Sequence, residues 1–273
     1  MTTLLDGAMG TALHARGLAP ERFPEEWLLE RPQEVARVHA AHVGAGAEIV
    51  LSCTFNAARL DLRGLSPETE SFCQRAVALA RGAGPRAVAG CVGATGLVGP
   101  RGEGAADGEL RERFSRAFRA LGRAGAALLW TETHVSLREA RAALAAARST
   151  GLKVVATLFL AEGAGGMAAL DGTPGEECLG ALWSDGAAAV GVNCVEPGPS
   201  LAALVARAVA RIAVPIAVKA SAPRTRGASS PELFAAAFSP ALSAGASLCG
   251  GCCGTGTHHL RALRRAMARA RPL

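Results

Sequence analysis

Asp185-Gly186-Ala187-Ala188-Ala189-Val190-Gly191-Val192-Asn193-Cys194 joins two kinds of structure. A glycine closes an Ala/Arg/Leu-rich stretch of helical periodicity, and a short apolar run follows it. That is the junction at which a helix feeds a buried parallel strand. The same rhythm recurs at Ala45-Gly46-Ala47 before Glu48–Leu51, at Ala124-Gly125-Ala126 before Ala127–Trp130, and at Ala244-Gly245-Ala246 before Ser247-Leu248. Each interval has room for one further strand and two helices. The strands are found at Arg86–Val92, Lys153–Leu158 and Ile216–Val218, and Thr3-Leu4-Leu5 opens the chain.

Helical segments are predicted over roughly 33–44, 67–82, 109–123, 136–149, 175–184, 199–211, 230–243 and 257–270, with Pro67, Pro199 and Pro231 near helix starts, where proline is tolerated. Eight strands alternating with eight helices predict an α/β fold, a (βα)8 TIM barrel, as one domain over residues 1–273. A doubly wound open sheet is the alternative, but no GxGxxG turn follows the first strand. The longest irregular piece, Gly93–Gly108, reads as a flap over the barrel mouth or a surface loop.

Half of the 273 residues are hydrophobic and the net charge is +6, carried almost wholly by arginine; Lys153 and Lys219 are the two lysines. Arginines such as Arg111, Arg113, Arg116, Arg119 and Arg123 lie along a helix without interleaved aromatics, which predicts solvated helix faces and no nucleic-acid partner. No apolar run reaches the roughly 18 residues of a membrane span, and Met1–Asp6 runs straight into a strand without a secretory signal. The expectation is a cytoplasmic protein without membrane partners. Its eight cysteines then read as metal ligands, nucleophiles or small core residues rather than disulfides.

In such barrels chemistry sits at the C-terminal ends of the strands. Those ends carry Asp6, Cys53-Thr54, Glu132-Thr133, Asn193-Cys194, Ser221 and Cys252-Cys253. Neighbouring residues of a regular strand face opposite ways, so Cys252 and Cys253 converge only if the backbone turns, which the flanking glycines permit. Cys194, two strands away, is the natural third partner. Three thiolates suit zinc and leave a fourth position open, the mark of a catalytic site that could hold a substrate sulfur as thiolate. Cys249 and Cys252 have a redox-like spacing without a thioredoxin-like strand order. Cys73, Cys91 and Cys178 read as packing residues, and Cys53 lies beside the site without an evident metal role. His39, His42, His134, His258 and His259 read as capping or surface residues.

These residues are specific enough for a family comparison. The chain resembles the homocysteine S-methyltransferases, zinc-dependent thiol methylases built on a TIM barrel. Leu5–Thr11 is similar to the family's DGAMGT opening, Ala45–Glu48 through Cys53-Thr54-Phe55 to its AGAD…TNTF segment, and Val98-Gly99-Pro100 with Ala106-Asp107-Gly108 to its third-strand loop. Trp130–Thr133 is similar to its ET motif, Gly191–Cys194 to its GxNC, and Gly250–Thr255 to its GGCCGT. The resemblance implies Cys194, Cys252 and Cys253 as ligands of Zn2+, and Glu132 as partner of the substrate's ammonium. Asp6 and the backbone from Gly7 to Thr11 would border that pocket, with Thr54, Asn193 and Ser221 as further substrate contacts.

It also implies methyl transfer to homocysteine, giving methionine. A single barrel without fused folate or cobalamin domains points to S-methylmethionine or S-adenosylmethionine as donor. Alternatives are a methylcobalamin or betaine donor with a corrinoid protein partner, another thiol or selenol acceptor, and a non-catalytic zinc-binding barrel. Three departures bear on the acceptor. Lys219-Ala220-Ser221-Ala222-Pro223 stands where relatives carry a PNAG-like turn and is closer to the cobalamin-linked members. Ser52-Cys53 replaces Thr-Asn, and Arg101 replaces a common tyrosine.

Overall fold

The computed structural model describes residues 2–59, 69–222 and 230–270. Strand β1 (Thr3–Leu4) leads through α1 (Met9–His14), a 3-10 turn (Pro24–Glu26), α2 (Trp27–Glu30) and α3 (Pro32–Gly44) to β2 (Ile49–Leu51). Then follow α4 (Thr69–Gly82), β3 (Ala87–Gly93), α5 (Asp107–Arg123), β4 (Leu128–His134), α6 (Leu137–Arg148) and β5 (Val154–Leu158). A hairpin of β6 (Ala161–Gly163) and β7 (Gly166–Ala168) precedes α7 (Gly175–Ser184). The chain finishes with β8 (Ala189–Val195), α8 (Pro199–Val209), β9 (Ile216–Ala220), α9 (Pro231–Ser243), β10 (Ala246–Gly251) and α10 (Thr257–Arg269).

Eight strands pair in the order β1-β10-β9-β8-β5-β4-β3-β2, every neighbour parallel. A parallel bridge from Leu5 to Ile49 joins the two ends of that order, so the sheet curls into the predicted barrel. All four junction glycines, Gly46, Gly125, Gly186 and Gly245, have positive φ between 84° and 107°, the conformation a helix-ending glycine supplies. Arginines complete these corners. Arg81 donates to the Gly125 carbonyl at 2.8 Å and Arg148 to that of Asp185. Arg123, Arg138 and Arg141 pair with Glu70, Asp107 and Asp185 on neighbouring helices. The positive balance thus stitches the outer shell, at well under about 1 kcal/mol per exposed pair.

Two apolar cores follow from the two-residue strand period. Val50, Val88, Leu129, Val154, Val190 and Val218 face out against the helices. Leu5, Leu51, Cys91, Trp130, Val155 and Ala217 face into the barrel. Trp130 is fully buried there and donates through Nε1 to Thr157 Oγ1 at 3.0 Å. Space is tightest at Gly191, where a Cβ would lie 1.8 Å from the Ala217 carbonyl oxygen. Gly191→Ala is therefore expected to cost about 2 kcal/mol or more of stability in urea denaturation.

Several expectations need correction. Helices α1 and α2 and the β6–β7 hairpin have no counterpart in the sequence reading. Pro67 and Pro223 lie outside the described residues. The Gly93–Gly108 segment is tied down: Val98 bridges Gly104, and Thr95 donates through N and Oγ1 to buried Glu139 at 2.8 and 2.6 Å. His258 is exposed and His259 Nδ1 accepts from Gly256 N–H at 3.1 Å, as capping predicts. His39, His42 and His134 are instead buried. His134 packs edge-on against Phe114, with Nδ1 3.5 Å from Glu139.

Burial pushes His39 down to about 4 and lowers His42. An unfolded imidazole takes a proton near 6.5, so the unfolded chain binds protons that folded His39 refuses. Stability present above pH 6.5 is lost as pH falls toward 4. The slope is at most about 1.4 kcal/mol per pH unit from His39. His39→Leu should flatten the pH dependence of the unfolding midpoint across that window.

Candidate metal centre

The Sγ atoms of Cys194, Cys252 and Cys253 lie within 4.8 Å of one another, with Cys194 and Cys253 3.4 Å apart. Tetrahedral zinc at about 2.3 Å from each sulfur needs them roughly 3.8 Å apart, so the cluster fits one such ion. Other cysteines are placed apart from it: Cys53, Cys73, Cys178 and Cys249 are buried in the outer core. Cys249 and Cys252 therefore do not act together as a redox pair.

Strand irregularity aims these thiols. Asn193 faces inward in step with Ala189 and Gly191, so a regular strand would turn Cys194 outward. The register of β8 against β9 slips between Asn193 and Val195, and Cys194 takes φ 60°. A bulge of this kind re-aims a side chain next to a site. The β4–β5 register slips likewise between Thr131 and His134, with Thr133 at φ 60°. Asn193 locks the two bulges together. Its Oδ1 accepts from Thr133 N–H at 2.9 Å, and its Nδ2 faces Thr133 Oγ1 and, at 3.9 Å, Cys252 Sγ. On β10, Cys252 N–H donates to the Ala220 carbonyl at 2.7 Å and the Cys253 carbonyl accepts from Ala222 N–H at 2.9 Å. Gly254, at φ 78°, then turns the chain away, its N–H donating to Thr11 Oγ1 at 3.1 Å.

The three thiols share charge unevenly. Hydrogen bonds from Cys252 and Cys253 lower the pKa of Cys194, and Ser221 Oγ assists at 3.7 Å. Donating to Cys194 raises those of Cys252 and Cys253. The cluster thus favours one thiolate until a cation replaces the remaining protons.

Beside the cluster is a cavity of about 290 Å³, lined by Asp6, Gly7, Phe55, Glu132 and Lys219 together with the three cysteines. Lys219 was missing from the predicted site. Its Nζ stands 2.9 Å from Asp6 Oδ1 and 3.3 Å from Glu132 Oε1, and the residue is only 3% exposed. Burial opposes its charge, but the two carboxylates outweigh that and raise its pKa. Glu132 is raised by burial, against the pull of Lys219. Its Oε2 accepts from Cys91 Sγ at 3.2 Å, so Cys91 lines the cavity and is more than a packing residue. Glu25 is another addition, holding Asn56 at the cavity wall by bonds of 2.7 and 2.8 Å.

Three predicted contacts sit elsewhere. Thr54 is buried, with its hydroxyl donating to the Cys91 carbonyl. Asn193 lies behind the bulges, and Ser221 faces a second cavity on the far side of Cys194.

The profile of the family described as homocysteine S-methyltransferase matches residues 3–267. The chain belongs to this family. It is 27% identical to homocysteine S-methyltransferase 4 of Zea mays, over 98% of this chain and 90% of that one. Homocysteine S-methyltransferase YbgG of Bacillus subtilis is 28% identical, covering 92% and 90%. The metallated form of the Escherichia coli homocysteine methyltransferase MmuM superposes with a TM-score of 0.82 at 25% identity, over 98% and 96% of the chains. Family membership makes this an enzyme of methyl transfer to a thiol. The cysteine cluster gives it a metal site.

Of this chain's thiols, Cys194, Cys252 and Cys253 should carry the metal. Elemental analysis should find about one ion per chain in the native protein and in Cys73→Ala. Cys194→Ala is expected to lose most of it, and full occupancy there would refute the ligand set.

Proposed function

We propose that the protein is a zinc-dependent methyltransferase moving a methyl group from a sulfonium donor to the thiolate of homocysteine or a close thiol. The observation that carries this reading is that two cavities meet at the cysteine cluster. The first holds the charged groups Asp6, Glu132 and Lys219. The second, of about 470 Å³, shares Cys194 and Cys253 with it and is bounded by Phe159, Glu162, Met167 and Glu196. A two-substrate transfer requires such access from two directions. Carboxylates and an aromatic ring around the second cavity suit a cationic donor better than a neutral one.

A zinc ion on the three sulfurs, bound with its fourth position open, would supply the Lewis acidity that keeps an incoming thiol deprotonated at neutral pH. The acceptor's sulfur bonds to the methyl carbon while the donor's S–CH3 bond breaks. The electron pair of that bond stays with the donor, which departs as a neutral thioether, and the acceptor's proton goes to solvent. The chain's own part is placement. Asn193 and Ser221 steady the cysteines, and the two cavities bring sulfur and methyl carbon into line, where orientation carries much of the rate.

The test crosses homocysteine and other thiols with S-methylmethionine, S-adenosylmethionine, betaine and methylcobalamin, reading methylated product by mass spectrometry. Turnover is expected with a sulfonium donor. Product from betaine or methylcobalamin alone would overturn the donor assignment, and none from any pair, with metal bound, would overturn the enzymatic one.

A further inference from the structure

The carboxylates at the acceptor cavity already hold an ammonium, and it belongs to the chain. Asp6 accepts from Leu51 N–H through Oδ2, at 2.8 Å, and from Lys219 through Oδ1. Glu132 faces Lys219 through Oε1 and Cys91 through Oε2. All four carboxylate oxygens therefore have a donor from the protein. An ammonium has three N–H donors. Among the described residues, Lys219 finds two partners, Asp6 and Glu132. The unspent hydrogen-bonding capacity at this end of the cavity is consequently that of a cation.

The backbone makes this arrangement specific. Lys219 pairs in register with Asn193 on one side and Gly250 on the other, at the same level as the residues that carry the cysteines. In β9 it follows inward-facing Ala217 by two residues, so its stem rises inside the barrel. Gly250 has no side chain to compete for that space; a Cβ there would meet Leu5 at 2.6 Å. A thiol seated at the cysteine cluster thus has the Lys219 ammonium in the same cavity.

We infer that Lys219 anchors the carboxylate of the acceptor, so that the site selects thiols by an acid group and tolerates the loss of the amine. Lys219 is here a specificity-determining residue. The inference rests on the thiol-methylating reading given above. It replaces the simplest expectation for Glu132, a free carboxylate awaiting a substrate ammonium, because Glu132 is engaged by Lys219.

Two experiments decide it. In the first, the metal-loaded native protein and a sulfonium donor are given homocysteine, 4-mercaptobutyrate, which lacks the amine, and 3-aminopropanethiol, which lacks the carboxylate. Removing the amine is expected to change kcat/KM by less than about ten-fold, and removing the carboxylate to lower it by about a hundred-fold, chiefly through KM. Equal or better use of 3-aminopropanethiol than of 4-mercaptobutyrate would overturn the inference.

In the second, calorimetry on the metal-free protein compares butyrate with butylammonium. Butyrate should bind about ten-fold or more tightly, and tighter butylammonium would overturn the inference. A folded Lys219→Met variant should lose the preference for acids in both assays, and its retention would also be fatal. Should that variant not fold, the native-protein comparisons decide alone. If no thiol is methylated, the thiol-methylating reading fails, while calorimetry still decides what Lys219 binds.

Discussion

A buried ammonium between two carboxylates spans the mouth of this barrel. Lys219 on β9 reaches Asp6 beyond β1 and Glu132 on β4, tying together strands that do not touch in the sheet. Breaking such a cluster by removing one member costs about 3–5 kcal/mol, because the remaining charges stay buried without compensation. The triad therefore fixes how wide the mouth can be. Everything that faces the cavity is positioned relative to it, including Cys91 below Glu132 and the Leu51 amide beside Asp6.

Around that clamp, regularity and its interruption divide the work. The two-residue strand period fills the barrel with Leu5, Leu51, Trp130 and Val155 and brings Glu132, Asn193 and Lys219 to the inner face at the top. Ligand geometry then needs the period broken. At Cys194 and Thr133 the backbone enters the left-handed region, costing roughly 1–3 kcal/mol for a non-glycine residue. Asn193 offsets part of this by bonding to both bulges' surroundings. The strain lies where the chemistry is, as befits residues held by their environment rather than by their own preference.

Much of this was legible in the sequence. Glycine at each helix-to-strand junction marks a backbone conformation that few other residues adopt, so the repeated Ala-Gly-Ala exposed the barrel. Cys194, Cys252 and Cys253 stood out because thiols followed strand ends. Lys219 was passed over for a physical reason: a lysine in a strand end reads as solvated, and its burial depends on Asp6, which no local pattern connects to it. Its parity with Ala217 was the available signal. The hairpin β6–β7 was missed because three-residue strands containing glycines lack alternation, and α1 and α2 because they are too short to show a helical period. Buried His39 and His42 show the same limit, since a histidine within a helix does not disclose which face it takes.

The Lys219–Asp6 contact joins residues 213 positions apart in the chain. Closing so long a loop is slow, and contacts of high sequence separation tend to form late. While the polypeptide is being made, Asp6 and Glu132 emerge long before the cation that will hold them. So do Asn193 and Cys194 before Cys252 and Cys253. The barrel's first half thus waits for its last quarter, and a chain interrupted before β9 has neither its clamp nor its metal site. Order of synthesis, as much as equilibrium geometry, determines when this protein becomes an enzyme.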